Sequence, residues 1–173
     1  SGAGGMGTVF RARDRHAGVP VAVKLLLRQT TLDAERFARE AATLAELSHP
    51  GIVRYVAHGE TPRGEHYLVM EWLEGESLRE RLRRERLDVS ASAALALRVA
   101  EALSVAHARN VIHRDIKPSN LLLANDEIER VKIIDFGVAR HTRELRELTH
   151  VGATVGTPAY MAPEQARGEP DLD

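Results

Sequence analysis

Cysteine is absent from the 173 residues. Its absence excludes disulfides, thiolate metal sites and a cysteine nucleophile, and it fits a reducing compartment, so a cytoplasmic location is expected. Aromatic residues are scarce, with three Phe, three Tyr and one Trp against 43% hydrophobic residues overall, so the core must be mainly aliphatic and alanine-rich. Neither sign of charge dominates: 24 Lys and Arg face 25 Asp and Glu, for a net charge of −1. That balance argues against a globally basic nucleic-acid binder, and no nucleic-acid partner is expected. No apolar run approaches the roughly eighteen residues of a membrane span, and the start at Ser1 has neither a basic nor an apolar leader region. No membrane segment is therefore expected in this chain. The length suits one compact domain or a piece of a larger one, and no internal repeat is evident.

Along the chain, SGAGGMG is glycine-dense and TVFRARD alternates apolar and polar residues, which predicts a turn feeding a strand. PVAVKLL reads as a second strand with Lys24 embedded in it. From Thr31 to Leu47 the period becomes helical, placing Phe37, Ala41, Leu44 and Leu47 on one stripe with Glu40 inside it. Pro50 ends that helix, and strands are predicted over Ile52 to His58 and His66 to Leu73. A short charged helix follows Gly75, and a longer one from Ser90 to Asn110 presents Leu95, Val99, Leu103 and Ala106 to a core. Strands at Asn120 to Ala124 and Val131 to Ile134 bracket a polar turn. Beyond Asp135 apolar periodicity disappears until APEQARG, and a loop of that length is usually functional or mobile.

Four clusters carry chemistry. Gly2, Gly4 and Gly7 form a GxGxxG pattern whose small residues let backbone N–H groups approach phosphate closely. Alone they fit an ordinary turn, and the strand that follows them disfavours a dinucleotide-binding fold, which requires a helix there. Lys24 and Glu40 each sit in an apolar run where an unpaired charge would be costly, so they are expected to pair. In HRDIKPSN, Asp115 can accept a hydroxyl proton, Lys117 can neutralise a transferring phosphoryl group, and Asn120 offers a neutral oxygen to a hard cation. His113 reads as a packed structural residue. Asp135 ends the strand of VKIIDFG, and with Asn120 it supplies oxygen ligands suited to Mg²⁺. No His or Glu spacing suggests zinc.

In that order, GAGGMGTV, VAVK, Glu40, HRDIKPSN, DFG and APE resemble the eukaryotic-type protein kinase signature set. The Lys117 position and GTPAYMAPE place the likeness in the Ser/Thr branch, and SHPGIV and YLVMEWLEGESL are similar to the bacterial, Hanks-type members. The resemblance implies an α+β, two-lobed fold: a small antiparallel sheet lobe with one helix, then the first part of a mainly helical lobe. It implies ATP and Mg²⁺ as cofactors and proteins bearing Ser or Thr as substrates. Gly2, Gly4 and Gly7 would roof the phosphates, Lys24 would bind them and Glu40 would hold Lys24. Asp115 would be the catalytic base, Lys117 would contact the γ-phosphate, and Asn120 and Asp135 would hold the metal. Val9, Ala22 and Leu122 would sandwich adenine, Met70 would be the gatekeeper, and the backbone of Glu71 and Leu73 would meet the purine edge. Leu44, His113 and Phe136, with Tyr55, would stack into an internal column that forms when the helix bearing Glu40 swings inward. Arg114 before Asp115 implies control by activation-loop phosphorylation, with Thr149 and Thr154 as phosphosites, whereas Thr157 matches a substrate-site element.

The chain departs from the family pattern at both ends. The strand leading into the glycines and the helices after APEQARG are expected to be missing, and with them the arginine partner of Glu164. Residues 1–173 thus read as a partial kinase domain, with 1–72 as the small lobe and 73–173 as the hinge and first half of the large lobe. The face of the Ser90 to Asn110 helix would then be partly uncovered, favouring dimerisation or self-association. Two other functions fit less well: a nucleotide-binding or scaffold module without turnover, for which only truncation argues, and a small-molecule phosphotransferase, which the APE segment disfavours.

Overall fold

A computed structural model describes residues 2–4, 7–26, 31–136 and 158–167. A five-stranded antiparallel sheet is built from β1 (Gly2–Gly4), β2 (Gly7–Arg13), β3 (Pro20–Leu25), β4 (Tyr55–Glu60) and β5 (His66–Glu71) in the order β1-β2-β3-β5-β4. The glycine segment therefore contributes a second, short arm to the hairpin, where one arm alone was expected: Gly2 lies opposite Val9 and Gly4 opposite Gly7. A glycine-rich segment follows no apolar alternation, so its pairing left no periodic trace in the sequence.

Helix α1 (Thr31–Ala45) packs on β4. The helix ends two residues before the predicted Leu47, and the predicted stripe is nonetheless buried: Phe37, Ala41 and Leu44 on α1 and Leu47 just past its end are each at most 3% exposed. Strand β4 starts later than expected. Ile52 and Val53 are buried but leave the small sheet, Ile52 forming an isolated parallel bridge to Ile133. A register shift between Tyr55 and Ala57 marks the point where the chain turns into β4.

The second sheet has three antiparallel strands, β6 (Gly75–Ser77), β7 (Leu121–Ala124) and β8 (Val131–Ile133). Strand β6 was not predicted, because three residues are too few to display a period. Gly75 has φ +138, and an added Cβ would overlap the carbonyl of Leu123, so the close pairing of β6 with β7 requires glycine there. Ser77 then caps α2 (Leu78–Arg84) in a capping box with Glu80. Asp88 caps α3 (Val89–His107) by accepting the Ala91 N–H at 2.7 Å.

Ala102 and Ala106 of α3 are fully buried, and the helix packs on β8 and on the turn at Ile128–Arg130. Leu95, Val99 and Leu103 are only half covered, while Val89 and Leu97 are 87% and 60% exposed. The apolar face is thus partly uncovered. By length and composition α3 is also apolar enough to cross a bilayer, which amends the expectation that no such run exists. Arg98 and Glu101 lie midway along it, charges that a lipid-facing helix seldom carries. The described residues end with α4 (Pro163–Ala166) and the Arg167 turn.

Candidate functional site

Cross-strand partners share a face of a sheet, as do residues two apart on one strand. Val9 lies opposite Lys24, Arg11 opposite Ala22, and Ala22 opposite Met70. Val9, Arg11, Ala22, Lys24 and Met70 therefore occupy one face of the small sheet, with Gly2, Gly4 and Gly7 at its end. Ala22, Lys24 and Met70 are buried. Leu122 sits between buried Leu121 and Leu123 on β7 and so points away from the core beneath that strand.

Glu71 ends β5 and Leu73 follows it, half-buried against the core. The N–H of Glu71 donates to the Arg54 carbonyl at 2.9 Å, so a purine edge would meet the Glu71 carbonyl rather than its N–H. Its side chain performs a task that was not foreseen. Oε1 accepts from Lys132 Nζ on β8 at 2.6 Å and from the Arg54 N–H at 2.9 Å, tying the small sheet to the strand that leads to Asp135.

The expected pairing of Lys24 with Glu40 is corrected by the structure. Lys24 Nζ lies 2.8 Å from Asp135 Oδ1, and among the described residues this is the ion pair that Lys24 makes. Glu40 is half-buried on α1. Two acidic residues in apolar surroundings compete for one ammonium group, and tertiary placement selects the one at the end of β8. Asp135 adopts φ 62, a left-handed backbone that aspartate tolerates better than most residues. Tyr55 is buried nearby, and burial, followed by the Asp135 charge, pushes its hydroxyl far above the ordinary tyrosine range. The phenol stays neutral.

In the loop after α3, Lys117 Nζ is 2.9 Å from Asp115 Oδ2. Asn120 Nδ2 donates to the Asp115 carbonyl at 2.8 Å and to Oδ2 at 2.9 Å. The 3-10 turn at Pro118–Asn120 makes this possible by bringing Asn120 back toward Asp115, so that Asn120 lies just outside β7 rather than at its start. With its amide nitrogen so engaged, Asn120 presents its side-chain Oδ1 for a cation.

His113 is 1% exposed, faces the Ile134 carbonyl through Nε2 at 2.9 Å, and accepts the Asp115 N–H on Nδ1 at 3.2 Å. Together these contacts define the neutral, Nε2-protonated tautomer and a structural role. Ile134 also donates its N–H to the Asn120 carbonyl at 3.0 Å, so the segments carrying Asp115, Asn120 and Asp135 are stitched side by side. The rings of His113 and Phe136 pack with centroids 4.7 Å apart, tilted by 57°, and Phe136, Leu44 and Tyr55 belong to one buried cluster.

Arg114 has φ 63, and its carbonyl accepts from Gln165 Nε2 at 2.6 Å, a tie from α4 to the loop that no sequence pattern signalled. Thr149, Thr154 and Thr157 lie outside the described residues. Among the described residues, no group of three or more His, Cys, Asp or Glu side chains could hold a metal alone. The oxygen donors of Asn120 and Asp135 suit Mg²⁺, which keeps water and phosphate in its remaining positions.

A lysine reaching from a five-stranded sheet to an aspartate on a three-stranded one, beside an Asp–Lys–Asn loop, defines a two-lobed protein-kinase fold. Comparison with known proteins agrees. The family profile described as "Protein kinase domain" matches residues 1–171. A probable serine/threonine-protein kinase of Corynebacterium efficiens is 40% identical over 98% of this chain and 26% of its own length. PknA of Mycobacterium tuberculosis is 42% identical over 95% of this chain and 39% of its length. Among solved structures, the kinase domain of Mycobacterium tuberculosis PknI aligns with TM-score 0.73 at 28% identity, covering 99% of this chain and 64% of that one. Rad53 in complex with AMP-PNP aligns with TM-score 0.77 at 31% identity, covering 97% of this chain and 41% of that one. The chain belongs to the protein kinase family, the two curated relatives named are bacterial serine/threonine kinases, and it spans 26% and 39% of their lengths.

Proposed function

We propose that the protein transfers the γ-phosphoryl group of ATP to Ser or Thr hydroxyls of protein substrates, in signalling, with Mg²⁺ as cofactor. The observation that carries this reading is the gathering of Lys24, Asp135, Asp115, Lys117 and Asn120 by contacts between 2.6 and 3.0 Å across the two sheets and the loop. Bound Mg²⁺ would neutralise phosphate charge, the chief demand of a loose phosphoryl-transfer transition state.

The chain's own residues supply the rest. Asn120 and Asp135 present the metal-binding oxygens. Lys24 holds the phosphates beneath the roof formed by Gly2, Gly4 and Gly7, while Val9, Ala22, Met70 and Leu122 enclose the base, with Glu71 and Leu73 at its edge. Asp115, held by Lys117 and Asn120, orients the substrate hydroxyl and takes its proton, and Lys117 faces the transferring group. In this reading Glu40 replaces Asp135 as the partner of Lys24 once Asp135 turns to the metal. Thr149 and Thr154 are the proposed regulatory phosphosites and Thr157 a substrate-site element, in a protein that acts in the cytoplasm.

A nucleotide-binding module without turnover has one observation in its favour, the occupation of Lys24 by Asp135. Transfer of labelled phosphate to a threonine-rich protein decides between the two. Asp135→Asn and Lys24→Met should each lower the signal by about 100-fold or more, the usual scale for lost electrostatic stabilisation. Equal signals from both variants and the parent chain would refute phosphoryl transfer.

A further inference from the structure

The roof strand is fastened to the hinge by a contact that the phosphotransfer chemistry does not use. Arg11 lies on β2, two residues beyond Val9, on the same face of the sheet and opposite Ala22. Its guanidinium carbon is 5.0 Å from the centre of the Trp72 ring. One of its terminal nitrogens is 3.1 Å from Glu74 Oε1, and that same oxygen accepts the indole N–H of Trp72 at 2.8 Å. Each member thus touches the other two, and Glu74 fixes both the cation and the ring beneath it. Trp72 and Glu74 flank Leu73, the residue assigned above to the purine edge.

We infer that Arg11, Trp72 and Glu74 form a clasp that holds the glycine hairpin down on the hinge and slows nucleotide release, which makes Arg11 a positioning residue. This inference rests on the nucleotide-binding reading given above. Within the small sheet, β2 reaches the hinge strand β5 only through β3, so the clasp joins roof and hinge directly. Lifting the roof to free a nucleotide would have to break both Arg11 contacts. Arg11 and Glu74 are 59% and 66% exposed, so each contact is individually weak. The combined effect is correspondingly moderate, about three- to tenfold on the rate of release.

Trp72 is the single tryptophan of the chain and reports on the clasp directly. The experiment compares the chain with Arg11→Gln, Arg11→Lys and Glu74→Gln. It records Trp72 emission without nucleotide, and the dissociation rate of a fluorescent N-methylanthraniloyl derivative of ATP at low and high salt. Arg11→Gln should change the emission and raise the dissociation rate about three- to tenfold, removing most of its salt dependence. Arg11→Lys, which keeps the charge but loses the planar stack, should fall between. KM for ATP should rise with the dissociation rate while kcat holds.

Unchanged emission and unchanged dissociation in Arg11→Gln would overturn the clasp, and so would an emission change with no kinetic effect. Failure of the parent chain to bind the nucleotide derivative would instead strike the nucleotide-binding reading and, with it, the role given to Arg11. An emission response to Arg11→Gln in that case would show that the contact exists and the function does not.

Discussion

Lys24 Nζ stands 2.8 Å from Asp135 Oδ1, and the two partners are unequally sheltered, with side chains 9% and 26% exposed. The pair joins the small sheet to the end of β8, and its asymmetry determines what each substitution will do.

Asp135→Asn leaves a buried ammonium group without its counter-charge, and a loss of about 2–3 kcal/mol is expected, somewhat below the usual figure for a fully buried pair. Lys24→Met removes the more deeply buried charge and leaves the aspartate partly in water, so it should cost about 1 kcal/mol or less. Urea denaturation of both variants measures the difference. Equal losses would mean that the ammonium is solvated in a way the geometry does not show.

Gly75 and Gly18 offer a paired test of backbone demand. Both have positive φ, +138 and +70, but an added Cβ at Gly18 meets nothing within 4 Å, whereas at Gly75 it overlaps the Leu123 carbonyl. Gly18→Ala should cost about 1 kcal/mol, the left-handed penalty alone. Gly75→Ala should cost about 3 kcal/mol or more, or prevent folding, because strand pairing must break as well. Thermal melting of the two variants gives the order, and a reversed order would contradict the β6–β7 pairing.

Removing the ring at His113 should expose its structural role. In His113→Leu the Ile134 carbonyl and the Asp115 N–H both lose a buried partner, at about 1–3 kcal/mol for each group left unsatisfied. Amide hydrogen exchange at Asp115 should accelerate along with the loss of stability. Protection that persisted there would show that His113 is not its acceptor.

Glu76 supplies a pH dependence. Its carboxylate takes hydrogen bonds from Arg84 and from Arg81, which hold its pKa below the ordinary glutamate range. In the unfolded chain the group protonates first, so its contribution to stability is complete above the ordinary range. That contribution disappears as pH falls through the lower folded value. The difference in urea midpoint between the parent chain and Glu76→Gln should be present at about pH 7 and shrink as pH falls below the ordinary glutamate range. A gap that stayed constant across that range would exclude linkage to this carboxylate.

Much of the site could be read from the sequence because its residues violate their surroundings. A lysine within VAVK, an aspartate at the end of VKIID and the dense HRDIKPSN run each demand an explanation that an ordinary strand or loop does not supply. The stripe of α1 was equally legible, since one turn of helix after another repeats it. The partner of Lys24 was not, because Glu40 and Asp135 satisfy the same local criterion and only three-dimensional placement separates them. Ile52 and Val53 read as strand for a sound reason, deep burial, but their pairing is with Ile133 in the other sheet. The clasp at Arg11 and the Glu71–Lys132 tie join residues 61 and 61 positions apart within otherwise ordinary charged surroundings, where no local pattern betrays a partner.

The seam at Ile133 has a mechanical consequence. Its N–H donates to the Gly51 carbonyl at 2.8 Å, and its carbonyl accepts the Val53 N–H at 3.0 Å. The covalent crossing at Glu71 to Glu74, the Glu71–Lys132 contact and the Lys24–Asp135 pair attach the same two halves. The attachments differ in kind: the paired backbone bonds at Ile133 would both break if one half slid past the other, whereas the two side-chain contacts can part while the seam holds.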